Sequence, residues 1–121
     1  MGVAVILVIA VFFLGMGVYA LVAPRALIRP FGVTLESATS RSEVRAVYGG
    51  FGLAIAAVLG YAAFRGGDLQ KGVLITVGIA LAGMAVGRLV SAMFDERTPF
   101  YPNWLYFVIE AVAAAALFLA A

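Results

Sequence analysis

An all-α integral membrane bundle of four helices, running up, down, up and down, is the fold class that this sequence predicts, and three observations predict it. Hydrophobic residues make up 65% of the 121 positions and charged residues only 12%, whereas a soluble domain is about half apolar and about a quarter charged. A water-soluble chain this small buries only about 60–70% of the surface it exposes when unfolded, too little to hide so much apolar side chain. The apolar residues fall into four stretches, each near the roughly 20 residues that a spanning helix requires, and the prolines Pro24, Pro30, Pro99 and Pro102 all lie between those stretches. One domain over 1–121 follows, with helices expected at about 1–23, 43–65, 69–94 and 103–121.

The first stretch carries no charged side chain. A cleaved signal peptide is the rival reading, but a basic leading region is missing, the apolar run is too long, and Pro24 directly after Ala23 opposes cleavage. The link 24–42 is the longest. Pro24 and Pro30 break helix, Phe31 and Gly32 read as a turn, and Ala26, Leu27 and Ile28 between Arg25 and Arg29 read as a segment lying in the interface. Ser40 or Ser42 is the expected cap of the second helix, with Glu43 favoured in its first turn. Gly66, Gly67 and Asp68 form a tight turn, and Pro99 and Pro102 separate the third helix from the fourth.

Short links make neighbouring helices antiparallel. Both ends of the chain then share one side with the Gly66 turn, and the 24–42 and 95–102 loops share the other, termed the loop face. Arg25, Arg29, Arg41 and Arg97 lie at the loop face, against Arg65 and Lys71 opposite, so the positive-inside rule puts the loops in the cytoplasm and the termini outside.

Composition also excludes chemistry. The chain has no cysteine and no histidine, which removes disulfides, thiolate chemistry, the usual zinc sites and haem ligation by those residues. A net charge of +2, with scattered basic residues, argues against a nucleic-acid partner. No cofactor or metal is expected.

Small residues recur at helical spacing: Gly52, Ala56 and Gly60 on the second helix, and Gly83 and Gly87, with Gly78 nearby, on the third. Such positions let helices approach closely in lipid. Contact within the monomer is the preferred reading, and a homo-oligomer or a partner in a larger membrane complex is the other. Phe100, Tyr101, Trp104, Tyr106 and Phe107 gather at the loop face, with Tyr19 and Tyr48 at comparable depth. An interfacial aromatic belt explains them, and a stacking platform for a ring-bearing ligand is the sharper alternative.

Arg88 and Glu110 carry the most information. A charge inside an apolar span costs at least a few kcal/mol near its centre. Arg88 lies about 9 Å from the loop-face end of its helix and Glu110 about 10 Å from that of the next, so the two charges arrive at one level. Asn103, Tyr106 and Glu110 share a face, as do Arg88, Ser91 and Asp95, and Arg45 shares one with Tyr48, Gly49 and Gly52. Arg45, Tyr48, Arg88, Ser91, Tyr106 and Glu110 are therefore the candidate ligand-binding residues. A neutral pair that only fixes helix register is the bland reading; a pocket for an anionic or polar head group, with Glu110 as counter-ion or proton acceptor, is the functional one. No catalytic residue is assigned, because one carboxylate and two arginines make no recognisable acid/base set.

At these residues a family resemblance is present. The run EVRAVYGG at 43–50, GRLVS at 87–91, Glu110, LVAP at 21–24 and FG at 31–32 occur in the order found in small bacterial membrane proteins grouped as a domain of unknown function, related to the DoxX-like superfamily. The resemblance covers essentially the whole chain. It implies a four-helix membrane bundle, in which Arg45, Tyr48, Arg88 and Glu110 act together, and a bacterial inner-membrane location. Some DoxX-like relatives are associated with sulfur oxidation, quinones or oxidative stress, as subunits of larger assemblies; the lack of cysteine here argues against direct sulfur chemistry.

The leading expectation is a non-enzymatic membrane protein that binds a membrane lipid, a quinone or a similar amphipathic small molecule at the loop-face cluster. The alternatives are an accessory subunit of a larger complex and an oligomeric transporter or channel, although the broken helices and inverted repeats typical of transporters are not evident.

Overall fold

The computed structural model describes residues 2–121, which are helical apart from short links. Helix α1 spans Gly2–Val22. A short helix α2, Pro24–Ile28, follows, with proline at its first position where no backbone donor is needed. A single 3-10 turn, Arg29–Phe31, closes on Gly32. Helix α3, Ala38–Val44, runs through a wider turn at Arg45–Gly50 into α4, Phe51–Arg65, as one 28-residue span. Helix α5 spans Gly67–Phe94, and a turn at Phe100–Trp104 leads into α6, Leu105–Ala120. Four helices are thus long and apolar enough to cross a membrane, and the fold is an all-α bundle of an integral membrane type.

The spans pack in chain order around a ring: α1 on α4, α4 on α5, α5 on α6 and α6 back on α1. Gly66 and Gly67 both have φ of 63°, a left-handed conformation that costs glycine little and lets α4 reverse into α5 with almost no loop. The main core draws on all four spans: Ile6 and Ala10, Leu59, Leu74 and Leu81, and Ala114 and Leu117. These residues come from the start of α1 and α5 and the end of α4 and α6, so the dry core occupies the half of the bundle that holds the termini. A second cluster, Ala20, Leu27, Ile28, Leu35 and Val44, seals the loop-face end.

Three expectations change. The second span starts at Ala38 rather than 43, because Ser37 is its cap: the Ser37 hydroxyl accepts from the Ser40 amide at 3.0 Å, and the Ser40 hydroxyl accepts from the Ser37 amide at 3.2 Å. Neither Ser40 nor Ser42 is the cap. In the segment around Ala26, Leu27 and Ile28 turn inward and are buried against Ala20 and Val44. The small-residue pattern divides. A Cβ at Gly17 would lie 2.9 Å from the Leu53 amide nitrogen and 3.0 Å from the Gly49 carbonyl, and Gly52 lies against Gly17 in turn, so the α1–α4 crossing is the close one. Gly78 packs under the Phe118 ring. A Cβ at Gly60, Gly83 or Gly87 would meet nothing within 4 Å, so the G-x-x-x-G of α5 faces outward instead of packing inside the monomer.

Candidate functional site

Arg88 on α5 and Glu110 on α6 meet at the level their sequence positions predict. The arginine Nε donates to one carboxylate oxygen at 2.8 Å and Nη2 to the other at 2.9 Å, a fork-to-fork pair. Side chains lean toward the N-terminus of their helix, so on these antiparallel helices Arg88 leans inward and Glu110 leans toward the loop face. Glu110 is 6% exposed and Arg88 22%, so the carboxylate is deep and the guanidinium bridges it to the surface. Nη1 donates to the Asn103 Oδ1 at 2.9 Å. Three of the five arginine N–H donors are engaged by protein acceptors, and every buried side-chain nitrogen or oxygen among the described residues has a partner. The cluster is electrically neutral and internally satisfied.

Two rings flank it. The Arg88 guanidinium carbon lies 5.9 Å from the ring centres of both Phe31 and Tyr106, which themselves sit 5.4 Å apart. This is cation–π distance. The first loop therefore contributes to the site: the 3-10 turn at Arg29–Phe31 folds across the end of the bundle and brings Phe31 against α6. Phe31 is legible in the sequence, with Gly32, as a turn and as part of the family pattern, but not as a site residue, because nothing in its spacing shows where the loop folds. Asn103 was legible, through the face it shares with Tyr106 and Glu110.

The other candidates separate. Arg45 uses Nε to donate to the Leu21 carbonyl at 3.0 Å, so it satisfies a carbonyl in the last turn of α1, one that the helix leaves without an internal partner. Arg45 thus shares with Gly49 and Gly52 the side that packs on α1, and its bond goes to α1 rather than to the Arg88–Glu110 cluster. Tyr48 is exposed, and it sits in the Arg45–Gly50 turn, whose hydrogen bonds widen to π-helix spacing, a feature frequent at functional sites. Asp95 is outside the cluster and accepts from the Glu96 amide. Ser91 is exposed and lines a cleft of about 480 Å³ at the loop face, together with Glu96, Arg97, Thr98, Asn103 and Trp104. Asn103 is the hinge between the two features: one side of the residue holds Arg88, and the residue also forms the cleft wall. Among the described residues no three metal-ligating side chains come together.

The arrangement can hold a polar group against Ser91, Asn103 and Arg97 while the Arg88–Glu110 pair keeps the cleft walls in register. It contains no nucleophile paired with a base.

No curated protein and no solved structure matches the chain. A family model described as Domain of unknown function (DUF4345) matches residues 3–121, and the chain belongs to that family.

Proposed function

We propose that this member of a family without an assigned activity is a non-enzymatic membrane protein that binds a lipid, a quinone or a similar amphipathic small molecule at its loop face. One observation carries the reading: the half-polar cleft opens on Asn103, the residue that completes the bonding of the buried Arg88–Glu110 pair. A neutral pair inside the span holds α5 and α6 at a defined separation, and the cleft between their loop-face ends receives the polar head. Ser91 and Asn103 offer hydrogen bonds and Arg97 offers charge, while Tyr106 and Phe31 flank the Arg88 guanidinium that Asn103 holds. Arg45 and Tyr48 do not line the cleft, and Arg45 is bonded to the end of α1.

Native mass spectrometry after release from a gentle detergent tests this. The wild-type protein should carry one amphipathic molecule per chain, and Asn103→Ala should stay folded and lose it. A stripped monomer in both proteins would sink the reading.

A second reading, an accessory subunit of a larger membrane complex or a homo-oligomer, is favoured by the outward-facing Gly83 and Gly87, which have no neighbour within the chain. A stoichiometric partner that is lost with Gly83→Leu but kept with Asn103→Ala would favour it over the binding reading. The further relationship to the DoxX-like superfamily, and a bacterial inner-membrane location with the 24–42 and 95–102 loops in the cytoplasm, are part of the same proposal. The loop-face arginines support that orientation.

A further inference from the structure

We infer that the cleft between the end of α5 and the start of α6 takes the head group of a zwitterionic phospholipid, a phosphodiester carrying an ammonium. The inference rests on the binding reading above and names its ligand class.

The lining decides the charge type. Ser91, Thr98, Asn103 and Trp104 bring hydroxyl, amide and indole groups, while Glu96 and Arg97 bring one charge of each sign. Arg88–Glu110 is the one ion pair among the described residues, so Glu96 and Arg97 both remain available at the mouth rather than neutralising each other. Arg88 occupies the Asn103 Oδ1, which leaves the Asn103 NH₂ as that residue's free donor. Arg97, Asn103 and the two hydroxyls are therefore a donor set for phosphate oxygens. A purely anionic head would have Glu96 against it. A cation alone would have Arg97 against it. A head group that carries a phosphate and an ammonium together presents one charge of each sign to Glu96 and Arg97, so neither residue is set against it.

The surroundings indicate a lipid over a free phosphodiester. Met93, Phe94 and Phe100 beside the cleft are largely exposed. They offer apolar surface where a glycerol backbone and acyl chains would leave the head group. Trp104, packed edge-to-face on Phe107 at 5.5 Å, has the amphipathic character that places indoles at head-group level.

The test reconstitutes the full chain in nanodiscs of equimolar phosphatidylglycerol and phosphatidylethanolamine, with phosphatidylcholine replacing the ethanolamine lipid in a parallel set. Lipid retained after release is read by native mass spectrometry. Wild type should retain one phospholipid, with the zwitterionic species enriched about tenfold, equivalent to about 1.4 kcal/mol. Glu96→Gln should keep a bound phospholipid but lose the preference, and Arg97→Gln should lose the phospholipid. Both positions are exposed, and circular dichroism checks that the helices persist. Bound lipid matching the bilayer composition in wild type, or a preference unchanged in both variants, overturns the inference. Displacement of bound lipid by soluble glycerophosphoethanolamine at equal concentration would assign the site to a free phosphodiester and overturn the lipid assignment. Retention of some other amphipathic molecule, sensitive to Asn103→Ala, would sink this inference and leave the broader binding reading standing; no retained molecule at all would sink both.

Discussion

A guanidinium and a carboxylate joined by two parallel hydrogen bonds behave as one neutral object in a low-dielectric span. Removing either half leaves a buried charge alone, which costs about 3–5 kcal/mol. Arg88→Leu and Glu110→Leu should each lower unfolding stability in detergent by about that much, since each leaves the other charge without its partner. The double leucine variant should recover to within about 1–2 kcal/mol of wild type, because replacing a whole buried pair by apolar residues is often nearly neutral. Equilibrium unfolding followed by circular dichroism measures this, and a double variant no more stable than the singles would show that the pair is not a closed unit. The presence and depth of this pair were readable in the sequence, since two charges in apolar helices must find each other and rise per residue fixes their level. The flanking position of Phe31 was not readable, because a loop aromatic that reaches across a bundle leaves no periodic trace.

Among the helices, the same residue type plays opposite parts. Gly17 lies where α1 meets the backbone of α4, and Gly83 lies on open surface. Gly17→Ala should destabilise by about 1–3 kcal/mol, as an added methyl against fixed backbone does. Gly83→Ala should stabilise the isolated monomer by about 0.5–1 kcal/mol, since alanine holds helix better than glycine. Thermal unfolding in one detergent compares the two, and equal effects would contradict a close α1–α4 crossing with an open α5 face. Spacing singles out Gly52, Gly78, Gly83 and Gly87 alike and passes over Gly17, whereas the structure packs Gly17, Gly52 and Gly78 and leaves Gly83 and Gly87 open. Which face of α5 turns inward depends on the α6 side chains it meets, Phe118 against Gly78 among them. The start of the second span was also misplaced by five residues, because a serine run offers several caps and only the reciprocal Ser37–Ser40 bonds select one.

For the whole molecule, the asymmetry between its two ends is the organising feature. The terminal half is packed with aliphatic side chains from all four spans. The loop-face half holds the ion pair, its flanking rings, the cleft and a lid formed by α2 and the extended chain to Ser37, tied by Arg25 donating to the Leu35 carbonyl at 3.4 Å. If the loop face is cytoplasmic, a cysteine at the exposed Glu36 should be shielded from an impermeant thiol reagent in intact cells and one at the exposed Asp68 should react. The chain has no native cysteine to confuse the readout. The reverse labelling pattern would invert the orientation, and with it the leaflet in which a lipid ligand would be found.

The sequence by itself determined the four apolar spans, their order and the common depth of Arg88 and Glu110. All of these follow from hydropathy and from a constant rise along each helix. Only the tertiary structure decided which helix faces meet: that Arg45 turns to α1, that Gly83 and Gly87 face outward, and that Phe31 and Asn103 complete the pair beside a cleft. Rotation about a helix axis is set by the neighbours it packs against, and in a chain apolar on nearly every side the hydrophobic pattern does not distinguish a face turned to lipid from one turned to protein.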